Sequence, residues 1–246
     1  MTMVRVPQRE RRQSAAARKV HSSSLAALCE HGDVGREPLE IPGVPVRERR
    51  HSRVLQAPLA ERRAGVMIHY DDSSRDDWAV AWFDDPRCTN GYTWLVLHDG
   101  AVIELADPAL RTPHAGACLQ PNANSRFYGV SAATNGLVIA TAAQVDAIVC
   151  ICVALFRFHR WTLDTIDSRI SGHDAQAIWT PALTRAQGLS DAKAESLWGK
   201  LGRKVDPTGV RKDGQAIINV GEVRAAVSAR LADQNQGGGH ATQPIE

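Results

Sequence analysis

The sequence predicts an α/β domain built on a central mixed β-sheet flanked by helices. Three observations carry that expectation. Short apolar runs of strand length recur at Gly65–Tyr70, Tyr92–Leu97, Ala101–Leu105 and Tyr128–Ala133. The tight turn His98-Asp99-Gly100 joins two of them as a hairpin. Helical patterns stand between and after the strands, the clearest of them opening at Thr141.

Taken in order, residues 1–55 read as a basic, disordered leader, rich in Arg, Ser, Ala and Pro, with Pro38, Pro42 and Pro45 spaced through polar sequence. The Arg9–Arg12 and Arg47–Arg53 blocks are expected to be a solvated arm rather than a contact for an anionic polymer. A single domain is expected over residues 56–232. Its first strand, Gly65–Tyr70, carries a histidine near its end. Asp71 to Ser74 follow as a loop, and Asp77–Phe83 as a helix containing Trp78 and Trp82.

Thr141 is a good N-cap, and Gln144 three residues on completes a capping box. Val145, Ile148, Val149, Cys152 and Phe156 then repeat at helical spacing, and other faces of the helix are also apolar, so it should be buried. It should end near His159-Arg160, cations suited to a helix C-terminus. Arg169–His173 reads as a short extended piece, residues 190–201 as a helix within an insertion, and Val220–Leu231 as a final helix. Residues 233–246, with Gly237-Gly238-Gly239, read as a disordered tail.

Composition narrows the partners. A chain of 246 residues with a net charge of +2 gives no reason to expect nucleic acid. The most apolar stretch, Val145–Phe158, is interrupted by Asp146 and Arg157 and is shorter than a membrane span, so no membrane is expected. Five cysteines without a C-x-x-C pair read as unpaired thiols of a reducing compartment. With no signal-peptide pattern at the start, synthesis is expected in the cytoplasm, and the protein is expected to be a monomer.

The chemistry gathers around Gly202-Arg203-Lys204-Val205-Asp206-Pro207. Proline keeps the residue before it extended, and residues two apart in extended backbone share a face, so Lys204 and Asp206 point the same way. Of nine histidines, His69, His114 and His173 stand at positions suited to a site. Two imidazoles and one carboxylate supply three ligands to a metal and leave a fourth position for water.

These residues occur in an order that resembles a known family. His69 in Val-Met-Ile-His-Tyr, Gly91-Tyr92-Thr93-Trp94 before the hairpin, Pro113-His114-Ala115-Gly116, Ser171-Gly172-His173 and Gly-Arg-Lys-Val-Asp-Pro match the type 2 N-acetylmuramoyl-L-alanine amidases. Those are zinc peptidoglycan hydrolases sharing a fold with phage lysozyme-type amidases and peptidoglycan recognition proteins. The resemblance spans about residues 60–231. It implies Zn2+ held by His69, His173 and Asp206, Lys204 stabilising the oxyanion formed when water attacks the amide, Tyr92 orienting that water, and His114 contacting substrate.

Three departures stand out: Pro113 where the family usually has Trp, Thr93 in place of a His, and Ser131 where the bacterial recycling branch has a catalytic Glu. The insertion after His173 carries Trp179 and Trp198, which read as core or surface residues rather than a groove rim. The resemblance implies cleavage of the amide between N-acetylmuramic acid and L-alanine by a phage or prophage endolysin acting at the bacterial cell wall. The alternatives are a non-catalytic peptidoglycan-binding module and an intracellular amidase recycling anhydro-muropeptides.

Overall fold

The computed structural model describes residues 39–50, 57–88, 90–115, 122–135, 137–173, 207 and 215–237. In chain order its strands and helices are β1 (Val46–Arg49), β2 (Ala57–Pro58), β3 (Gly65–Tyr70), α1 (Asp76–Asp84), β4 (Trp94–Val96) and β5 (Val102–Glu104). There follow β6 (Leu110–Arg111), α2 (Ala123–Arg126), β7 (Phe127–Ala132), α3 (Ala142–His159), α4 (Ile166–Arg169), β8 (Ile170–Gly172) and α5 (Val220–Gly237).

Six strands form one mixed sheet in the order β1-β5-β4-β7-β3-β8, and β2 pairs with β6 in a separate two-stranded ladder. The hairpin β4–β5 is antiparallel, whereas β4–β7, β7–β3, β3–β8 and β1–β5 are parallel. This is the mixed, helix-flanked sheet that the sequence predicts.

Side chains alternate across a strand, so each strand feeds two faces. Val66, Ile68, Trp94, Val96, Tyr128 and Val130 line one face and pack against Ile148, Ile151, Cys152, Leu155 and Phe156 of α3, with Val223 and Val227 of α5 in the same cluster. The capping box expected at Thr141 is present: its hydroxyl accepts from the Gln144 backbone N–H at 3.1 Å, while Thr141 N–H donates to Gln144 Oε1 at 2.9 Å. Gln144 Nε2 donates onward to the carbonyls of Val96 and Ala133, tying the start of α3 to two strand ends. By length and composition α3 is apolar enough to cross a membrane, at a mean hydropathy of 1.6; its buried residues Ile148 to Phe156 pack in the domain core.

The structure redraws both ends of the expected domain. Within the stretch expected as a disordered leader, Val46–Arg49 form an edge strand with alternating exposure, and Ile41 is buried in the main core. Arg47 and Arg49 are the outward residues of that strand, so the arginines that suggested disorder are its solvated side. Charged residues on an edge strand also discourage pairing with a further chain. At the other end, α5 runs to Gly237, past the Leu231 limit set by its apolar spacing. Residues 1–38 and 51–55 of the leader, the helix expected at 190–201 and the end of the tail lie outside the described residues.

Candidate active site

The site stands on the sheet face opposite α3 and α5. His69, Ser131 and Leu95 share one register level across β3, β7 and β4, and all three face that way. His69 is the penultimate residue of β3, so it sits at the carboxyl end of a parallel strand, where open α/β sheets bind ligands. His173 follows β8 directly, and its backbone N–H donates to the Ile68 carbonyl at 3.2 Å, which seats it beside His69. Tyr92 precedes β4, and His114 lies in the loop after β6.

Four of the six expected site residues therefore meet. The His69 ring centroid is 4.6 Å from that of His173, 5.0 Å from Tyr92 and 5.2 Å from His114. All four side chains are buried. Phe83 of α1 packs edge-on against Tyr92 at 5.7 Å, which fixes the tyrosine from behind. Lys204 and Asp206 lie outside the described residues. Pro207, the next residue, is buried, and its carbonyl accepts from Ile218 N–H at 3.0 Å.

Hydrogen bonds assign the protons on these rings. His114 Nε2 lies 3.1 Å from the Phe127 carbonyl, which can only accept, so Nε2 carries the hydrogen. Burial, with His69 adding to it, lowers the His114 pKa well below the ordinary histidine value and holds that ring neutral. Its Nδ1 is then an acceptor, and His69 Nε2–H donates to it across 3.1 Å. His173 Nε2 in turn donates to the Ala115 carbonyl at 2.7 Å. In the neutral form of each ring, Nδ1 of His69 and of His173 is then the lone-pair nitrogen. A metal-ligating histidine characteristically donates its other N–H to a carbonyl or a comparable acceptor, so this donor pair fits zinc. Among the described residues, no set of three or more His, Cys, Asp or Glu side chains is grouped to hold a metal ion; the third expected ligand, Asp206, lies outside them.

Burial also pushes the Asp71 carboxyl up to about 7, although the backbone N–H groups of Ser73 and Thr134 both donate to it. Ser131 Oγ and Thr93 Oγ1, at two of the positions that depart from the family pattern, are buried without a hydrogen-bond partner among the described residues.

His114, expected as a substrate contact, is buried with its Nδ1 3.1 Å from His69 Nε2, within hydrogen-bond reach of that ring. Gly129 of β7 lies directly against the same ring. A Cβ built there would lie 2.7 Å from His114 Cγ, so the imidazole needs a glycine beneath it. A glycine inside a strand pattern is a known sign of close approach, and Tyr128-Gly129-Val130 carried that sign. The backbone carbonyls of Phe127 and Ala115 left no trace in residue identity.

Comparison with known proteins bears on the same region. The family model described as N-acetylmuramoyl-L-alanine amidase matches residues 60–208. No curated protein matches the chain. Among solved structures, a selenomethionine AmpD derivative aligns at 17% identity and a TM-score of 0.44, covering 63% of this chain and 100% of that one. A mutant endolysin from Bacillus subtilis aligns at 14% and 0.42, covering 64% and 99%. The Staphylococcus aureus hydrolase AmiA, in complex with its ligand, aligns at 14% and 0.43, covering 72% and 89%.

Proposed function

The chain belongs to the N-acetylmuramoyl-L-alanine amidase family, and from that membership we propose a zinc-dependent hydrolase of the amide joining N-acetylmuramic acid to L-alanine in peptidoglycan. His69, His173 and Asp206 hold the metal in this reading. The observation that carries it is the pair of buried imidazoles, His69 and His173, each with its Nε2–H taken by a fixed acceptor. A zinc ion held there would supply Lewis-acid polarisation of the carbonyl and would lower the pKa of bound water to about 7.

The protein's own groups do the rest. Tyr92, packed on His69, orients the attacking water. Lys204 brings a cation to the place where the tetrahedral oxyanion develops, and a charge preorganised there stabilises the transition state more than the ground state. His114 and the Ala115 carbonyl keep the two ligand rings from rotating as the substrate arrives.

We read the biological role as lytic, an endolysin made in the cytoplasm and acting at the bacterial cell wall. Ser131 supports this against the recycling alternative, because the residue level with His69 on β7 is a hydroxyl rather than a carboxylate. Zymography on cell walls tests the whole proposal. Clearing that is lost on chelation and restored by added zinc is expected. No clearing, or clearing indifferent to the chelator, refutes the amidase reading. Turnover of soluble anhydro-muropeptides with intact walls left untouched refutes the lytic one.

A further inference from the structure

Arg63 is an arginine with 5% of its surface exposed, standing two residues before β3. Burying a guanidinium costs several kcal/mol unless its donors are satisfied. The structure satisfies both Nη groups with backbone carbonyls, while Nε, also buried, has no hydrogen-bond partner among the described residues. Nη1 donates to the carbonyls of Asn124, Ser125 and Phe127, the last at 2.6 Å, and Nη2 donates to the carbonyls of Pro108 and Leu110. Its charged plane also stacks on the Tyr128 ring, 4.2 Å from the centroid. Desolvation lowers its pKa to about 10, so the group stays a cation at neutral pH.

Two of those five carbonyls connect Arg63 to the site by separate routes. The Phe127 carbonyl, which takes the Arg63 Nη1–H, is also the acceptor for His114 Nε2–H. An oxygen has two lone pairs, and here one holds the guanidinium and the other the imidazole. The Leu110 carbonyl belongs to the strand that leads into Thr112-Pro113-His114-Ala115, the segment supplying both the His114 ring and the Ala115 carbonyl that holds His173. One cation therefore pins the ring acceptor and the backbone root of the same histidine.

We infer that Arg63 is a positioning residue for the metal site, acting through the Phe127 carbonyl and His114 on the orientation of His69. The chain runs Arg63 Nη1 to Phe127 O at 2.6 Å, Phe127 O to His114 Nε2 at 3.1 Å, and His114 Nδ1 to His69 Nε2 at 3.1 Å. Because both donors share the Phe127 oxygen, the guanidinium acts by fixing where that acceptor sits, and so where the His114 ring is held, rather than by strengthening the bond. The inference rests on the metal site proposed above for its functional meaning, but the chain of contacts does not.

Arg63→Lys and Arg63→Met in the full-length chain test it by two measurements. Nitrogen-edited NMR of the histidine side chains reads the chain without metal. Arg63→Lys, which keeps the charge and loses the planar fork, is expected to move the His114 and His69 Nε2–H resonances. Competition with a chromophoric chelator reads the metal: Zn2+ affinity is expected to fall roughly tenfold in Arg63→Met and less in Arg63→Lys, the range seen for groups that orient ligand side chains. Circular dichroism confirms that each variant is folded; if Arg63→Met is not, Arg63→Lys alone decides. Unmoved histidine resonances and unchanged zinc affinity in a folded variant would show that Arg63 is only a structural staple, and would overturn the inference. Wild-type protein that binds no zinc, with the resonance shifts still seen, would instead sink the metal site and leave the chain of contacts standing.

Discussion

His69 Nε2 and His114 Nδ1 lie 3.1 Å apart, and with His114 neutral the proton between them belongs to His69. That bond fixes which nitrogen of His69 bears the lone pair, and the Phe127 carbonyl fixes the bond in turn. Replacing His114 by alanine leaves the His69 ring without its buried acceptor. Zinc affinity should fall about 10- to 100-fold while the fold persists, as measured by chelator competition on protein whose circular dichroism is unchanged. Affinity equal to wild type would show that His114 serves substrate alone.

Gly129 makes the same point from below. A methyl group there would press on His114 Cγ at 2.7 Å, Cβ at 3.0 Å and Cδ2 at 3.1 Å, so the ring must leave its place over β7. Gly129→Ala should therefore reproduce most of the His114→Ala loss in zinc affinity, at a stability cost of about 1–3 kcal/mol from overpacking. The double variant should lose less than the sum of the two single losses, because both act through one ring. Additive losses in the chelator titration would separate Gly129 from His114.

What was legible in the sequence was what periodicity and residue chemistry encode. The strand carrying His69 and the helix opening at Thr141 were readable because apolar spacing and a capping box are local signals. His69, Tyr92, His114 and His173 could be proposed as one set only through a family resemblance, since nothing local says that residues a hundred positions apart meet. The edge strand at Val46–Arg49 was hidden because four residues are too few to show alternation against an arginine-rich background. Arg63 was hidden for a different reason: its five partners are backbone carbonyls, which every residue owns, so no pattern of side chains announces them.

The roles proposed for Asp206 and Lys204 predict different failures. In the proposed site Asp206 is the third metal ligand, so in Asp206→Ala zinc measured by elemental analysis after gel filtration should drop below stoichiometric, and activity with it. Lys204→Ala removes a charge felt chiefly by the oxyanion, so zinc should stay bound while turnover falls by about 100-fold or more. A Lys204→Ala protein that has lost its zinc, or an Asp206→Ala protein that keeps it, would contradict the assigned roles.

His159, at the end of α3, gives the fold a pH dependence remote from the site. Burial, reinforced by the nearby cations of Arg62, Arg63 and Arg169, lowers its pKa from 6.5 to about 4. Its Nε2 lies 3.0 Å from the Tyr128 hydroxyl, whose own pKa is pushed up to about 12, so the phenol keeps its proton and donates to a neutral imidazole. Between about 6.5 and about 4 the unfolded chain binds a proton at His159 that the folded chain refuses. Stability from this group is therefore intact above pH 6.5 and is lost as pH falls towards 4. In His159→Gln the amide oxygen can still accept from Tyr128 but cannot titrate. Urea unfolding should show the variant gaining on wild type steadily as pH is lowered through that window. A difference between the two proteins that stays constant across it would mean that His159 is protonated as easily in the folded chain as in the unfolded one.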